Sequence, residues 1–240
     1  MPNKKIRLDK AVSHNFGASR AEASYLIKNS LVEVDGEVIT DPAFKISENS
    51  EISLDGNTVE ADSGFKKRVF MLNKPEGYIC ADRDNRAPVV VNLFNEEMRY
   101  TDLHCVGRLD IDTQGLLLVT DDGELNHKIT SPKTSINKVY IARTKEEISP
   151  ADIEKFARGL KHPEEEKRYL PASLEILEPK LGRVTVTEGR FHEVKRLFEC
   201  VGNEVVALRR VKIGGLELDD DLEVGEYREL SADEIALLFS

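Results

Sequence analysis

An α+β fold is predicted for this chain from three observations. Its 240 residues, of which 40% are hydrophobic, suffice for one large domain and one small domain, each with its own core. Short alternating or continuously apolar runs indicate strands, and segments of helical periodicity lie between them. Three of the helical segments begin with a Ser-x-x-Glu or Ser-Pro cap. Mixed strands and helices of this kind favour an α+β architecture.

Four local signals mark residues 1–60 as a small unit of two helices and hairpins. They are a helical segment at residues 8–14, the capping box Ser19-x-x-Glu22, alternating residues around Asp35-Gly36 in 32–38, and the turn Asp55-Gly56. An Asp-Gly pair between alternating apolar residues is a strong hairpin signal. Residues 61–68 are small, polar and then basic, which predicts a linker to a second domain over residues 69–240.

The predicted second domain alternates strand and helix signals. Strands are predicted at residues 69–72, 116–119, 137–142, 174–177, 183–187 and 205–213. Helices are predicted at residues 121–129, from Ser149-Pro150 to Gly159, over 191–201, and from the capping box Ser231-x-x-Glu234.

The composition argues against several classes of protein. No apolar run reaches the length of a membrane span and no signal-peptide pattern is visible, so we expect a protein of the cytoplasm. Cys80, Cys105 and Cys200 show neither metal-ligand spacing nor a disulfide framework, which suits a reducing cytosol. Since the sequence shows no phosphate-binding loop, metal cluster or dinucleotide fingerprint, no cofactor is expected.

The net charge of −10 conceals blocks of opposite sign. Residues 1–30 carry six Lys or Arg against two Asp or Glu, and residues 125–145 carry five basic and no acidic side chains. Residues 31–60 carry one basic and eight acidic side chains, and residues 216–240 carry one and nine. Basic surfaces can therefore contact phosphate while acidic surfaces face away. The negative net charge thus does not exclude nucleic acid as a partner.

The central stretch, residues 107–120, reads GRLDIDTQGLLLVT and has two halves of opposite character. The apolar run at 116–119 predicts a strand that is buried on both faces. The polar half before it predicts a loop that holds Arg108, Asp110 and Asp112 on a rigid strand, a common place for functional groups. The residues alone leave open a surface turn in which Arg108 and Asp110 pair with each other.

The pair Asp110-x-Asp112 also resembles the D-x-D pattern of haloacid-dehalogenase-type phosphatases, in which the first aspartate is phosphorylated. That pattern needs an apolar strand directly before it, so that the carboxylates lie at the carboxyl end of the strand. Here the long apolar strand comes after the two aspartates. The phosphatase is therefore the weaker alternative.

The string G-R-L-D-x-x-T-x-G-L-L-L-x-T resembles the signature motif of the pseudouridine synthases, in the RsuA-like branch that modifies ribosomal RNA. In that family the aspartate after Arg-Leu is the essential nucleophile, which implies this role for Asp110. The K-P-x-G at residues 74–77 resembles the first family motif, a turn beneath the active site. The K-x-Y that ends at Tyr140 resembles the next motif, whose tyrosine stacks on the target base. From the residues alone, a tyrosine packed at a sheet edge remains possible.

Residues 189–197, GRFHEVKRL, resemble the last family motif. The resemblance implies that Lys195 pairs with the catalytic aspartate, with Arg108 as a second cation. Two departures occur, because Glu193 replaces the usual glutamine and Leu197 the usual methionine. The carboxylate of Glu193 could compete for Lys195. We expect Arg190 and Arg196, on the same stretch, to contact RNA.

The N-terminal unit resembles the S4 RNA-binding domain, whose two helices present basic residues to RNA; Lys10, Arg20 and Lys28 match that face. Together the resemblances imply a mixed, mostly antiparallel catalytic sheet. They imply a monomeric enzyme, without a cofactor or membrane contact, that isomerises one uridine of 16S ribosomal RNA, at position 516. A 23S RNA enzyme of the same family and a non-catalytic S4-type assembly factor remain alternatives. Whether Asp110 attacks uracil C6 or ribose C1′ stays open.

Overall fold

The computed structural model describes residues 5–16, 18–47, 49–61, 67–81, 87–94, 103–131 and 134–240. Within these ranges the chain forms two units. The first contains the described residues up to Lys67 together with Phe94 and Leu103, and the second contains the others. Most of the predicted linker, residues 62–66, lies outside the described part of the chain, so the linker stays a prediction.

The first unit combines two helices with short strands. Its elements are β1 (Lys5–Arg7), α1 (Leu8–Asn15), α2 (Arg20–Lys28), β2 (Val32–Val34), β3 (Glu37–Val38), β4 (Lys45–Ser47), β5 (Glu51–Leu54) and β6 (Asn57–Glu60). Strands β1 and β4 form one antiparallel pair, and a second antiparallel sheet has the order β3-β2-β5-β6. The structure confirms both predicted helices, the capping box at Ser19 and the two Asp-Gly hairpins.

Apolar side chains from both helices and from the strands close this unit into one core. The buried members include Leu8, Ala11, Val12, Ala23, Ile27, Val32, Ile46 and Ile52. Because the apolar faces of α1 and α2 are used up in this core, their remaining faces are free for polar side chains. Lys10 and Lys28 are exposed there, whereas Arg20 is half-buried and pairs with Asp9 at 3.2 Å.

The second unit is built on a large sheet. Its elements are β7 (Val69–Lys74), a 3₁₀ helix (Val90–Leu93), β8 (His104–Val106), β9 (Thr113–Thr120), α3 (Gly123–Thr130), β10 (Lys138–Thr144), α4 (Pro150–Ala157), β11 (Ser173–Glu178), β12 (Leu181–Val186), α5 (Glu193–Glu199), β13 (Val205–Ile213), β14 (Leu216–Glu217), β15 (Tyr227–Glu229) and α6 (Ala232–Leu237). The strand order is β11-β12-β10-β13-β9-β7-β15, with β14 beside β13 and β8 beside β9. Every described pair in it is antiparallel except β13 with β9. The predicted mixed, mostly antiparallel sheet and the α+β class are confirmed.

Two of the element boundaries that differ from the sequence prediction fall in the signature and in the last family motif. Strand β9 begins at Thr113 instead of at residue 116, so the end of the polar half of the signature is strand and not loop. Helix α5 begins at Glu193, and Phe191, which was expected on its apolar face, is exposed in the preceding loop. The reason is that His192 adopts a left-handed backbone conformation, with φ 51° and ψ 28°, so the helix cannot include it and begins at the next residue.

The parallel pair of β9 and β13 brings two distant segments together. Thr113 lies opposite Leu208, and Gly115 lies opposite Arg210. Because parallel strands begin at the same edge of a sheet, the loop before β9 and helix α5, which precedes β13, meet at that edge. The strand pairing therefore places the aspartates of the signature beside the helix that carries Lys195.

No helix in the described ranges combines the length and the apolar character that crossing a membrane requires.

Gly115 is the residue that the close approach of β9 to β13 requires. Its φ is +101°, and a Cβ at this position would lie 2.2 Å from the Arg210 carbonyl oxygen. Gly115→Ala should therefore lower the free energy of unfolding by about 3 kcal/mol or more, through backbone strain and overlap together. Denaturant unfolding followed by circular dichroism measures this change.

Gly123→Ala is the matched control, since Gly123 opens α3 and an added Cβ there meets no atom within 4 Å. Alanine is the better helix former by up to about 1 kcal/mol, so this variant should be as stable as the wild type or slightly more stable. Equal stability of the two variants would contradict the role given to Gly115.

Candidate active site

A cavity of about 460 Å³ opens in the second unit where the signature loop meets the segment before α5. Its wall includes Asp110, Tyr140, His192, Glu193 and Arg210. A cavity of this size, mostly apolar but with a few converging polar groups, is the usual form of a small-molecule or base-binding site. Three of the sequence-predicted catalytic residues, Arg108, Asp110 and Tyr140, thus line one space.

The loop that carries Asp110 is held from beneath by a buried lysine. The Lys74 ammonium donates to the carbonyl oxygens of Pro75 at 3.0 Å, Asp110 at 3.1 Å and Thr113 at 3.0 Å. Three acceptors satisfy the three donors of an ammonium group, which is what a buried lysine needs. Burial lowers the pKa of Lys74. The K-P-x-G motif therefore contacts the signature loop, as its resemblance implied.

Two further contacts fix the loop. The Gly77 amide donates to the Ile111 carbonyl oxygen at 2.7 Å, and the Leu109 amide donates to the Cys80 sulfur at 3.4 Å. A hydrogen bond from the Cys105 thiol is the main cause that lowers the pKa of Cys80, to about 7. Backbone and side-chain contacts on both sides of Asp110 thus leave its carboxylate in a defined position.

The Asp110 carboxylate lies between two basic side chains from the start of α5. Lys195 Nζ is 3.7 Å from Asp110 Oδ2, and His192 Nε2 is 3.5 Å from Asp110 Oδ1. The imidazole of His192 stacks on the Phe191 ring, with centroids 3.7 Å apart. Both contacts exceed normal hydrogen-bond lengths, so the carboxylate has basic neighbours without being tied to them.

Lys195 makes its short bond to the other aspartate of the signature. Its Nζ donates to Asp112 Oδ1 at 2.6 Å. Partial burial works to raise the pKa of Asp112, but the hydrogen bond and the charge of Lys195 outweigh it and hold that pKa below its ordinary value. Lys195 is therefore shared between the expected partner Asp110 and Asp112. Asp112, which was predicted only to lie on the loop, holds the lysine in place.

Arg108 lies at the mouth of the cavity, with its side chain exposed. In the described part of the chain no ion pair joins it to Asp110, so the alternative of a surface turn closed by that pair is wrong. The same geometry places Lys195 and His192, and not Arg108, beside the Asp110 carboxylate.

Tyr140 is buried on β10, which lies between β12 and β13. The alternative of a tyrosine packed at a sheet edge is therefore wrong. Its hydroxyl accepts a hydrogen bond of 3.4 Å from Nη1 of the buried Arg210, whose Nε donates to the Leu116 carbonyl oxygen at 2.8 Å. Arg210 thus joins the tyrosine to the central strand.

Glu193 does not compete for Lys195. It is buried, and its Oε2 accepts a 3.1 Å hydrogen bond from the Arg190 amide across the start of α5. No ion pair joins it to Lys195 in the part of the chain that the structure describes. Burial raises the pKa of Glu193 to about 7. The carboxylate therefore replaces the expected glutamine as a backbone acceptor.

Arg190 and Arg196 both pair with Glu165, and Arg196 also lies 3.3 Å from Glu164. Arg190 donates further to the carbonyl oxygens of Lys167 at 3.1 Å and Arg168 at 3.3 Å. These contacts tie the loop before β11 to the start of α5. The contact of the two arginines with RNA stays a prediction, and Glu165 balances part of their charge.

Sequence reasoning missed three residues of this site: Lys74, His192 and Arg210. Lys74 and His192 stood inside motifs whose turn or helix was recognised, but their contacts to Asp110 cross 36 and 82 positions of the chain. Arg210 lies in the predicted strand 205–213. Its exposed sequence neighbour Arg209 gave no sign that the guanidinium of Arg210 is buried.

Glu193→Gln tests the buried carboxyl group. Because folding raises its pKa from about 4.5 to about 7, Glu193 contributes stability that is complete below about pH 4.5 and is lost as the pH rises through about 7. A glutamine still accepts from the Arg190 amide but does not titrate. Between pH 5 and 8.5 the free energy of unfolding of the wild type should fall by about 3 kcal/mol more than that of the variant, as measured by urea unfolding.

Glu147→Gln serves as the control, since Glu147 is exposed and makes no hydrogen bond or ion pair with any described residue. Its pH profile of stability should follow that of the wild type. A Glu193→Gln profile as steep as that of the control would show that Glu193 is ionised throughout.

Comparison with known proteins gives two family matches. Residues 68–200 match the family described as RNA pseudouridylate synthase, and residues 6–52 match the S4 domain. The ribosomal small subunit pseudouridine synthase A of Escherichia coli (strain K12) is 44% identical over 231 residues, which are 96% of this chain and 99% of that protein. The protein of the same name from Yersinia pestis is 42% identical, over 96% of this chain and 97% of that protein.

A solved structure described as a pseudouridylate synthase superposes with a TM-score of 0.69 at 39% identity, covering 97% of this chain and 99% of the other. The family match spans the signature, the Lys74 turn, Tyr140 and Lys195. The phosphatase alternative is therefore set aside. The chain belongs to the RNA pseudouridylate synthase family, in the RsuA-like branch that carries an N-terminal S4 domain.

Proposed function

We propose that this enzyme converts one uridine of 16S ribosomal RNA, at position 516, to pseudouridine, with Asp110 as the attacking group. The small-subunit substrate rests on the names of the relatives that are similar over nearly the whole chain. The observation that carries the catalytic assignment is the Asp110 carboxylate in the cavity wall, with Lys195 and His192 within 4 Å and Tyr140 in the same cavity. Since the substrate is ribosomal RNA, we place the reaction in the cytoplasm, and we take the enzyme to act as a monomer.

The isomerisation breaks the bond between ribose C1′ and uracil N1, and forms a bond between C1′ and uracil C5. The proton of C5 is lost and N1 gains one, so no electrons or atoms are exchanged with a cofactor. A carboxylate suffices for such chemistry, because it can form a covalent adduct with the sugar or the base and later leave it. Asp110 fits either version of the attack.

The surrounding residues divide the remaining tasks. Lys195 places positive charge beside the carboxylate, and the His192 imidazole borders its other oxygen, so the two side chains fix its direction. The base has to leave its stack to reach Asp110, and an aromatic ring in the pocket stabilises an extruded base by about 1–3 kcal/mol. Tyr140 supplies that ring. Arg108, exposed at the mouth, is placed to contact the phosphate backbone on either side of the extruded nucleotide.

The first unit supplies a second set of RNA contacts. Lys10 and Lys28 are exposed on its two helices, and Arg20 is held at the start of α2 by Asp9. We assign these three residues to the phosphate contacts of the S4 domain. Arg190 and Arg196 add positive charge near the cavity, although Glu165 pairs with both and neutralises part of that charge.

Pseudouridine mapping in ribosomal RNA tests the proposed function. A strain that lacks the gene should lose one modification, at position 516 of 16S RNA, and should regain it with the wild-type gene. Loss of a 23S site would instead show a large-subunit enzyme. Unchanged RNA in the deletion strain, together with an inactive purified protein, would support the non-catalytic assembly factor.

Asp110→Asn should lower the single-turnover rate at least about a thousandfold, because the nucleophile is lost while its shape is kept. RNA binding should stay within about threefold of the wild type. Asp112→Asn is the matched variant, since it weakens the anchor of Lys195 and leaves Asp110 intact. It should cost about tenfold, the effect of one lost charge-assisted hydrogen bond. Equal losses of rate in the two variants would contradict the assignment of Asp110 as the nucleophile and of Asp112 as the anchor of Lys195.

Lys10→Gln together with Lys28→Gln should weaken RNA binding and make it less dependent on salt. Each phosphate contact that is lost should reduce the slope of log K against log salt by about one. Lys45→Gln is the control, because Lys45 is an exposed lysine on β4 of the same unit and not on either helix. A slope that changes equally in the control and the double variant would show a general charge effect in place of a binding face.

A further inference from the structure

Four buried polar side-chain atoms of the second unit have no hydrogen-bond partner among the described residues, and two of the four belong to residues that line the active-site cavity. These two are Thr113 Oγ1 and Arg210 Nη2. Thr113 is 1% exposed and Arg210 is 2% exposed. A buried polar group without a partner is destabilising, and native structures keep very few of them. Two such groups in one cavity indicate that a ligand supplies their partners.

The sheet places the two side chains side by side. Thr113 and Gly115 lie on the same face of β9, and Leu208 and Arg210 lie on the same face of β13. The pairs Thr113–Leu208 and Gly115–Arg210 are two steps apart in the ladder, with the pair Gln114–Arg209 between them. The two unpartnered atoms therefore belong to one patch of the cavity wall.

The guanidinium of Arg210 is fixed, and only one of its nitrogens is unused. Nε donates to the Leu116 carbonyl oxygen at 2.8 Å, and Nη1 donates to the Tyr140 hydroxyl at 3.4 Å. A guanidinium has donors only, so the partner of Nη2 has to be an acceptor. The link to Tyr140 also places that acceptor close to the ring on which an extruded base would stack.

We propose that Arg210 and Thr113 form the polar contacts of the base-binding subsite. Arg210 Nη2 donates to a carbonyl oxygen of the extruded uracil, and Thr113 Oγ1 bonds to the polar edge of the same base. This inference rests on the proposed function, since it takes uracil as the ligand. Uracil presents a carbonyl at both C2 and C4, whereas cytosine has an amino group at C4. A donor-only side chain facing C4 would therefore favour uracil over cytosine.

Thr113→Val is the first test, because it keeps the shape and removes the unpartnered hydroxyl. The backbone contacts of Thr113 to Asp110 and Lys74 do not involve the side chain. The variant should melt at the same temperature as the wild type or higher, while kcat/KM falls about three- to tenfold. A side chain with a purely structural role would not give these two opposite results.

Thr120→Val is the matched control on the same strand. Thr120 is as buried as Thr113, but its Oγ1 donates to the Arg68 carbonyl oxygen at 2.6 Å and accepts from the Asp122 amide at 3.0 Å. The control should melt at a lower temperature and keep the kcat/KM of the wild type. A Thr113→Val variant that resembles it, less stable and fully active, would overturn the role of Thr113.

The second test pairs Arg210→Met with altered substrates. A 16S RNA fragment is ligated so that its target nucleotide is uridine, 2-thiouridine or 4-thiouridine, since sulfur is a weak acceptor. Wild-type enzyme should lose about ten- to a hundredfold in kcat/KM on one of the two thio RNAs. On the uridine RNA, the kcat/KM of Arg210→Met should be lower than that of the wild type by a similar factor. For this variant, the kcat/KM values on the uridine RNA and the thio RNA should differ less than twofold.

The outcomes separate this inference from the proposed function. The wild-type enzyme could be active and yet distinguish the thio RNA from the uridine RNA no better than Arg210→Met does. That result would overturn the contact of Arg210 with the base and leave the proposed function intact. A wild-type enzyme that forms no pseudouridine in the uridine RNA would overturn the proposed function and the subsite with it. If Arg210→Met does not fold, the Thr113→Val and Thr120→Val pair still decides whether the patch binds the base.

Discussion

The site depends on one backbone constraint, the parallel pairing of β9 with β13 across Gly115. This is the single parallel contact among the described strand pairs of the sheet, and it requires the two backbones to approach at a position where any Cβ would overlap a carbonyl oxygen. The pairing aligns the starts of two strands that are far apart in sequence. The signature loop and α5 then meet at one edge, and Arg210 reaches the cavity from the neighbouring strand. Side chains of the candidate site from three chain segments are thus positioned by one ladder.

One buried lysine beneath the signature loop and one half-buried lysine in the cavity wall serve this site in a chain whose net charge is −10. Lys74 and Lys138 each donate to backbone carbonyl oxygens, and burial lowers the pKa of both. The acidic end of the chain forms its own ion pairs, in which Arg228 bonds to Asp219 and Glu234 and its hydrogen bond holds the pKa of Glu234 at about 2. Part of the acidic block 216–240 therefore forms a mixed ion-pair network with Arg228, whereas the two lysines at the cavity are bound by backbone carbonyl oxygens.

Local features of the fold were predictable from the sequence because they are decided within a few residues. The capping boxes at Ser19 and Ser231 and the hairpin at Asp35-Gly36 are set by side chains that bond to their own turn. The ordered motifs identified Asp110, Tyr140 and Lys195, which the structure gathers around one cavity or its loop. Contacts between distant segments were not predictable. Nothing in the pattern around Lys74 or Arg210 shows that each is buried, since burial follows from the packing of other strands over them.

The division of labour between the two aspartates follows from the distances. Lys195 gives its short bond of 2.6 Å to Asp112 and lies 3.7 Å from Asp110. A nucleophile that accepted a short charge-assisted hydrogen bond would have a lone pair occupied and would have to break that bond before it attacked. Asp112 instead takes the hydrogen bond and fixes the ammonium, while Asp110 receives the charge without the bond. The lysine can then shift toward Asp110 or remain on Asp112 as charge develops, and Asp110 stays accessible to the base or the sugar that enters the cavity.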